Sequence, residues 1–220
     1  MKRLDVALKM REVGAIPLFY HPDVEICKEV ISACYRGGMT LFEFTNRGAF
    51  AHELFAELSK WARTTMPDLV LGVGTLVEPG TCSIYIQMGA GFIVSPLLNE
   101  EMARTCNRRK VLWIPGCATV SEISKAEELG AEVVKLYPGS TVGGSTFLKA
   151  YLAPCPWSNI MPSGGISPTE ENLADWFSAG AFCVGMGSQL ISSEIIRNKD
   201  YQKLETTSRE AVEIIRKVRS

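Results

Sequence analysis

A lysine lies in the middle of a short apolar run, EVVKLYPG, at residues 132–139. If this run is a β-strand, Lys135 shares a face with Val133 and Tyr137, opposite the two side chains between them. Apolar surroundings disfavour the charged form of an amine, and a neutral amine can attack a ketone to form a Schiff base. The run alone leaves open a second interpretation, an edge strand whose lysine points into water.

A carboxylate occupies the middle of a second apolar run, TLFEFTN, at residues 40–46. Alternation puts Glu43 on the face opposite the two phenylalanines of the run, and Arg47 follows just after it. A buried carboxylate is costly without a partner, so this position needs an explanation other than simple packing. Two structural alternatives remain open: an ion pair between Glu43 and Arg47, or a silent buried pair of Glu43 with Lys135.

Two glycine-rich segments carry groups that bind anions, SGGI at 163–166 and GMGS at 185–188. Glycine lets backbone N–H groups approach a ligand closely, and serine adds a hydroxyl donor. The candidate residues are Ser163, Gly164, Gly165, Gly187 and Ser188. One such loop is a weak signal, but two together predict a phosphorylated substrate or another anion. Thr75, which ends LGVGT, offers a further hydroxyl, although a helix cap or turn explains it equally well.

Histidine is scarce, since the chain contains only His21 and His52. Catalytic zinc sites usually take two or three of their protein ligands from histidines, so this count disfavours such a site. Neither histidine lies beside a serine or cysteine nucleophile signal, which also disfavours a triad or dyad mechanism. The histidine count therefore argues against a zinc site built mainly from histidines and against a histidine-based triad or dyad; it says nothing against other chemistry.

The elements that must position these groups repeat along the whole chain. Apolar runs ending in Gly, Pro, Ser, Thr or Asn alternate with amphipathic segments. The runs cover residues 14–19, 40–46, 69–75, 92–97, 111–116, 132–138, 159–165 and 181–187. Eight strands at intervals of about 20–30 residues predict an α/β fold, a (β/α)8 TIM barrel, as one domain over residues 1–220. An open doubly wound sheet is the alternative, but no run is followed by G-x-G-x-x-G.

Barrel closure changes the interpretation of the lysine, because a closed sheet has no free edge. Catalytic groups of such barrels lie where strands end, in the loops that lead into helices.

Helix starts are also visible in the sequence. Thr119 and Glu122 form a capping-box pattern, and Ser167-Pro168-Thr169 leads into an acidic first turn.

Composition excludes several classes of partner. Net charge is -1 and the pI is about 6.2, so no basic field exists to attract nucleic acid or an anionic membrane. The first residues, MKRLDVALKMREVG, lack the continuous apolar region of a signal peptide, and no later stretch approaches about 18 apolar residues. Seven cysteines without a C-x-x-C motif predict reduced thiols in a cytoplasmic protein.

A series of motifs resembles, in order and spacing, the 2-keto-3-deoxy-6-phosphogluconate (KDPG) and 4-hydroxy-2-oxoglutarate (KHG) aldolases. The resemblance covers strands two to eight, and the joint set is far more specific than any member. The motifs are LFEFTNRG, GVGTL, SPLLN, PGCATVSE, VVKLYPG, MPSGGIS and VGMGSQL. The family implies a (β/α)8 barrel, commonly a homotrimer, that acts as a class I aldolase without metal.

The resemblance implies a role for each matching position. Lys135 aligns with the Schiff-base lysine and Glu43 with the general acid and base. Arg47 and Thr75 align with groups that hold the pyruvate-derived carboxylate. The remaining positions are Pro96 and Thr119, which would line the same cavity, and Gly164, Gly165, Gly187 and Ser188, which align with the phosphate site.

Several positions depart from familiar members of the family. The strand-two motif is usually closer to E-V-T-x-R-T, and the usual Phe-Phe-Pro-Ala after the lysine is replaced by Leu-Tyr-Pro-Gly at 136–139. The usual Gly-Gly-Ser-Trp near the last strand becomes Gly-Met-Gly-Ser-Gln at 185–189. Many members place an arginine after the first strand, where this chain has Leu18-Phe19-Tyr20. The lysine and glutamate are intact, so these changes put the substrate in doubt rather than the Schiff-base chemistry.

Together these observations predict a lyase that cleaves a 2-keto-3-deoxy sugar acid, 6-phosphorylated in the KDPG-like case. The products are pyruvate and an aldehyde such as glyceraldehyde 3-phosphate. Two alternatives remain: a phosphate-binding barrel isomerase, epimerase or synthase with Glu43 as a base, or a non-catalytic sugar-phosphate binding protein. Sequence does not separate gluconate, galactonate and hydroxyoxoglutarate substrates.

Overall fold

Parallel strands and helices alternate along the chain in the computed structural model, which describes residues 2–219. The strands are β1 (Ala15–Phe19), β2 (Leu41–Thr45), β3 (Val70–Gly74), β4 (Phe92–Val94), β5 (Leu112–Ile114), β6 (Gly116–Cys117), β7 (Val134–Leu136), β8 (Ile160–Pro162) and β9 (Val184–Met186). The helices are α1 (Arg3–Val13), α2 (Val24–Arg36), α3 (Ala51–Thr65), α4 (Pro79–Gln87), α5 (Glu100–Arg109), α6 (Val120–Glu128), α7 (Gly144–Leu152), α8 (Glu170–Ser178), α9 (Ser193–Asn198) and α10 (Tyr201–Arg219).

All eight predicted strands are present, and the fifth is divided into β5 and β6. The interruption falls at Pro115, whose backbone has no N–H to give to a neighbouring strand. Its carbonyl still accepts a hydrogen bond from the Lys135 N–H at 2.9 Å. The chain therefore continues in register across the break, and the two short strands act as one.

Strand pairing closes the sheet into a barrel. Six strands pair in the order β5-β4-β3-β2-β1-β9, and three pair in the order β6-β7-β8, with every pairing parallel. The two sheets join through Pro115 on one side and through a parallel bridge between Ser163 and Gly185 on the other. The (β/α)8 prediction is confirmed, and the open-sheet alternative is wrong.

Two apolar cores lie on opposite sides of the strands. The outer core fills the space between the strands and the surrounding helices and includes Phe42, Phe44, Val134 and Leu136. The inner core fills the barrel below the site and is covered by Val6 and Met10 of α1. Its other members are Ile16, Leu41, Val70, Phe92, Val94, Leu112, Ile114, Val133, Met161 and Cys183. Strand alternation therefore sorts side chains as the sequence predicts.

Helix starts agree with the predicted caps. The Thr119 side chain accepts a hydrogen bond from the Glu122 N–H, and the Glu122 carboxylate accepts from the Thr119 N–H, which is a capping box. Thr169 is the N-cap of α8, followed by the acidic residues Glu170 and Glu171. No helix among residues 2–219 is long and apolar enough to cross a membrane.

Candidate active site

A cavity of about 950 Å³ opens at the ends of the strands, on the side opposite α1. Its wall contains residues from the loops after β1, β2, β3, β4, β7, β8 and β9. Nine of the predicted site residues line it: Arg47, Thr75, Pro96, Lys135, Ser163, Gly164, Gly165, Gly187 and Ser188. Residues that are up to 141 positions apart in the sequence therefore meet in one concave surface, as expected at the carboxyl ends of barrel strands.

Lys135 lies in the middle of β7 and points into the barrel. Its neighbours in the strand, Val134 and Leu136, belong to the outer core, while Lys135 lines the cavity and is only 6% exposed. The ammonium nitrogen Nζ lies 5.1 Å from the centre of the Tyr137 ring. The solvated-edge interpretation is wrong, because β7 pairs with β6 on one side and β8 on the other.

Glu43 lies on β2, two residues after Leu41 of the inner core and on the same interior face of the strand. It is 1% exposed. Its Oε2 atom has no hydrogen-bond partner among the described residues. Burial raises the pKa of this carboxyl above its usual value, and the nearby charges of Lys135 and Arg47 partly oppose that rise. A carboxyl with a raised pKa keeps its proton to a higher pH than a free carboxyl does, which suits a general acid and base.

Neither ion-pair alternative for Glu43 is supported. Across residues 2–219, no salt bridge joins Glu43 to Lys135 or to Arg47. The charges influence one another through space while the carboxylate oxygen remains unpartnered. An arrangement of this kind costs stability and is typical of a functional site.

The neighbouring strand makes room for the Glu43 carboxylate. Gly74 ends β3 beside it, and a Cβ atom at Gly74 would overlap the Glu43 carboxylate. The next residue, Thr75, has a φ of 63°, a left-handed conformation that is unusual for a β-branched residue. Strained backbone of this kind concentrates at functional sites, and here it turns Thr75 towards the cavity.

The two glycine-rich segments lie side by side at the rim, because β8 and β9 are bridged by Ser163 and Gly185. Gly164 and Gly165 have φ values of 91° and 80°, a conformation that favours glycine. In the described chain, the N–H groups of Gly164, Gly165 and Ser188 donate to no backbone acceptor. The rim therefore presents free donors of the kind that bind an anion.

Thr119 is the one predicted site residue besides the deep-lying Glu43 that is absent from the cavity wall as described. Its side chain is exposed, and its hydroxyl is held in the capping box with Glu122 at the start of α6. Thr119 therefore serves as the N-cap of α6, as its sequence pattern predicts, and it lies outside the cavity wall.

Other cavity residues were not predicted. Tyr20 and His21 follow the end of β1, so the strand-end rule applied to the first strand would have identified them. Tyr137 shares the face of Lys135, which the alternation already indicated. Arg197 lies on α9, outside the strand-end loops, and no sequence signal points to it.

Comparison with known proteins places this architecture in context. The family described as "Aldolase: KDPG and KHG aldolase" matches residues 6–207. A 2-dehydro-3-deoxy-phosphogluconate aldolase of Pseudomonas aeruginosa is 34% identical over 178 residues, which cover 80% of this chain and 78% of that protein. A KHG/KDPG aldolase of Escherichia coli K12 is 29% identical over 199 residues, 90% of each chain.

A solved structure is similar over almost the whole chain. The KDPG aldolase of Legionella pneumophila superposes with a TM-score of 0.83 at 25% identity, covering 93% of this chain and 97% of that one. That crystal structure holds pyruvate captured at low pH as a covalent carbinolamine intermediate.

Proposed function

The chain belongs to the KDPG and KHG aldolase family, and from this premise we propose that it is a class I aldolase, a lyase that uses Lys135 as its Schiff-base amine. Its substrate is a 2-keto-3-deoxy sugar acid with a phosphate at C6, and its products are pyruvate and glyceraldehyde 3-phosphate or a similar aldehyde. No metal and no other cofactor takes part. One aldolase domain spans residues 1–220.

One observation carries this proposal: a buried lysine lines the cavity, and a buried, unpartnered glutamate lies beneath the wall, near enough for the lysine charge to act on it. An amine in such a position can attack a ketone, and a nearby carboxyl with a raised pKa can move the protons that the reaction requires. The carbinolamine of pyruvate in the Legionella pneumophila relative is the adduct that a reactive amine forms with this ketone.

The first half of the reaction makes the covalent intermediate. Lys135 Nζ attacks the C2 carbonyl of the substrate to form a carbinolamine. Glu43 then gives a proton to the departing hydroxyl group, water leaves, and a protonated imine remains. Arg47 and Thr75 hold the C1 carboxylate through charge and a hydroxyl donor, which fixes C2 in front of Lys135. Pro96 lines the same part of the wall.

The second half breaks the carbon–carbon bond. Glu43, now ionised, takes the proton of the C4 hydroxyl, either directly or through a water molecule. The electrons of the C3–C4 bond move into the imine, the aldehyde leaves, and an enamine of pyruvate remains on Lys135. A proton returns to C3, and water hydrolyses the imine to release pyruvate and the free amine. The far end of the substrate meets the donors of Ser163, Gly164, Gly165, Gly187 and Ser188.

Trapping the intermediate tests this mechanism. The protein is incubated with pyruvate and borohydride, digested, and analysed by mass spectrometry, which should find the reduced pyruvyl adduct on Lys135. The exposed Lys149 on α7 is an internal control and should remain unmodified. A folded protein without an adduct at Lys135 would sink the Schiff-base assignment.

A substrate panel identifies the reaction. Pyruvate release is coupled to lactate dehydrogenase and measured with KDPG, its galactonate isomer, 4-hydroxy-2-oxoglutarate and their unphosphorylated counterparts where these exist. We expect the highest kcat/KM with a phosphorylated C6 acid. Phosphorylated ligands that stabilise the fold without any pyruvate release would instead indicate a binding protein, and activity retained by Lys135→Arg would indicate an isomerase or synthase.

We also propose that the enzyme is a cytoplasmic homotrimer. The seven cysteines have free thiols, which is typical of a reducing compartment. Exposed apolar side chains after β3, after β4 and at the start of α6, namely Val77, Leu97 and Val120, support an interface between copies. Analytical ultracentrifugation should give three times the chain mass, and Val77→Asp should shift the population towards monomer. A monomer at all concentrations would contradict this assembly.

A further inference from the structure

We propose that Arg197 and His21 form a specificity subsite that binds the distal phosphate of the substrate, a proposal that rests on the aldolase function proposed above. Both residues line the cavity: His21 follows β1, and Arg197 lies on α9, which follows β9. The subsite sets the preference for a phosphorylated over an unphosphorylated substrate.

The charges on the cavity wall are of one sign. Its charged side chains are Arg47, Lys135 and Arg197, and none of the described residues that line it is an aspartate or glutamate. Arg47 and Lys135 act on the deep Glu43 carboxylate, whereas Arg197 has no ion-pair or hydrogen-bond partner among residues 2–219. An unpaired guanidinium in a concave wall without carboxylates is a site for an anionic ligand.

His21 adds a donor of fixed orientation. Its Nδ1 atom accepts a hydrogen bond from the Asp23 N–H at 3.0 Å, so the neutral ring carries its proton on Nε2. The ring is stacked on Phe19, with centroids 6.3 Å apart and planes inclined by 10°. The stacking on one face and the hydrogen bond at Nδ1 together orient the ring, and His21 lines the cavity.

The barrel topology brings these two residues to the glycine-rich rim. β9 lies between β8 and β1, so His21 after β1 and Gly165 after β8 flank Ser188 after β9. Arg197 lies on α9, the helix that follows the Ser188 loop. A phosphate at this rim can receive backbone N–H groups, a hydroxyl, an imidazole N–H and a guanidinium together.

The catalytic end and this subsite lie in different parts of the same cavity. The pyruvate half of the substrate reacts at Lys135 on β7, while the distal half extends to the β8–β9–β1 side. A guanidinium at the distal position contributes to the phosphorylated substrate alone. The ratio of kcat/KM between phosphorylated and unphosphorylated substrates therefore measures the subsite, and the rate with either one does not.

The decisive measurement is this ratio for KDPG and its dephosphorylated counterpart. A charge-assisted hydrogen bond lost in Arg197→Gln should lower the ratio roughly 10- to 100-fold, and Arg197→Lys should restore part of it. His21→Phe keeps an aromatic ring over Phe19 but removes the donor, and should lower the ratio roughly 2- to 10-fold. Arg108→Gln, at an exposed arginine on α5 away from the cavity, is the matched control and should leave the ratio unchanged.

Equal loss on both substrates in Arg197→Gln would assign Arg197 a structural role and overturn the subsite, as would an unchanged ratio. If the wild-type protein forms no pyruvate adduct and cleaves neither substrate, the aldolase proposal fails by itself. The subsite is then decided by thermal stabilisation with inorganic phosphate. We expect a rise in Tm for the wild type that Arg197→Gln abolishes, and equal shifts in the two proteins would overturn it.

Discussion

The two ends of the barrel are built from the same strands but have opposite chemistry. At the closed end, Val6 and Met10 of α1 cover an interior of aliphatic and aromatic side chains, all buried. At the open end, the same inward face carries Lys135 and Glu43, and one Glu43 oxygen has no partner. Leu41 and Glu43 are two residues apart on β2, so the change from packing to chemistry takes place within one strand.

The closed end of the barrel therefore stabilises the fold, and the open end carries the reactive groups. Apolar burial at the closed end stabilises the barrel, at about 25 cal/mol for each Å² of apolar surface removed from water. Buried charged groups at the open end lower stability and are held in place by that core. Changes at the open end should therefore affect catalysis much more than folding, and changes at the closed end should do the reverse.

The largest effect should follow from Lys135→Arg at the open end. Arginine keeps a positive charge in the strand but cannot provide a neutral amine, so the covalent step is lost. We expect kcat for pyruvate release to fall by on the order of 10⁴- to 10⁶-fold, the scale of losing a covalent nucleophile. Circular dichroism should show an intact fold. A loss of kcat smaller than about tenfold would show that Lys135 at the open end is not the catalytic amine.

Glu43→Gln should have the next largest effect, because the amide is similar in size but cannot exchange protons. The expected fall in kcat is about 10²- to 10⁴-fold, the usual contribution of a positioned acid or base. Borohydride trapping with pyruvate should become slower, since carbinolamine dehydration also needs this group. An unchanged kcat would show that another group moves the protons.

Met10→Ala tests the closed end, where we expect an effect on stability and not on catalysis. Met10 is fully buried below the barrel, and removing its side chain should lower the free energy of unfolding by roughly 2–5 kcal/mol. The kcat of the folded fraction should stay within a factor of about two.

Leu8→Ala is its matched control on the same helix. Leu8 is 64% exposed, so we expect a change within about 0.5 kcal/mol in urea denaturation. If Met10→Ala altered kcat as strongly as the open-end variants, the division between the two ends would not hold.

The smallest effect is a pH dependence of stability from Glu43. The pKa of this carboxyl is raised in the folded protein above its ordinary value of 4.5, so the native state keeps a proton that the unfolded state has lost. Its contribution to stability is full below pH 4.5 and declines as pH rises through the raised pKa. The Tm of Glu43→Gln minus the Tm of the wild type should therefore increase by a few degrees as the pH is raised from 4 to neutrality.

Met10→Ala provides the comparison for that experiment, because it changes no titratable group. Its Tm difference from the wild type should stay flat over the same pH range. If the Tm of Glu43→Gln instead fell relative to the wild type as pH rises, the pH dependence would have the opposite sign. That result would contradict the burial of an unpartnered carboxyl.

Local patterns were sufficient for much of the fold and for the deep part of the site. Alternation with a period of two placed Lys135 and Glu43 on the interior face, because one residue of slip would bury the phenylalanines of β2 there instead. Closure of the barrel was predicted from the number and spacing of the strands. The division of the fifth strand at Pro115 was not, although the proline that causes it is visible in the sequence.

The remaining features depend on contacts between distant segments. Nothing local in α1 marks Val6 and Met10 as the cover of the barrel, since the exposed side of that helix also carries apolar residues, Leu4 and Leu8. Arg197 reaches the cavity only because α9 lies over the loop of β9. Thr119 carried a clear capping signal, and that local role agrees with its exposed position better than the role implied by the resemblance.

The Gly74 position that makes room for the Glu43 carboxylate has a consequence for directed evolution. Any side chain at position 74 competes for the space of a long side chain at position 43, so position 74 accepts a larger residue only when residue 43 becomes shorter. A library that varies both positions and is selected for folding alone should return alanine or serine at 74 together with a shortened residue at 43, at the cost of the proton-transfer group. Diversity aimed at new aldehydes therefore belongs on the β8–β9–β1 side of the mouth, where substitutions do not meet this constraint.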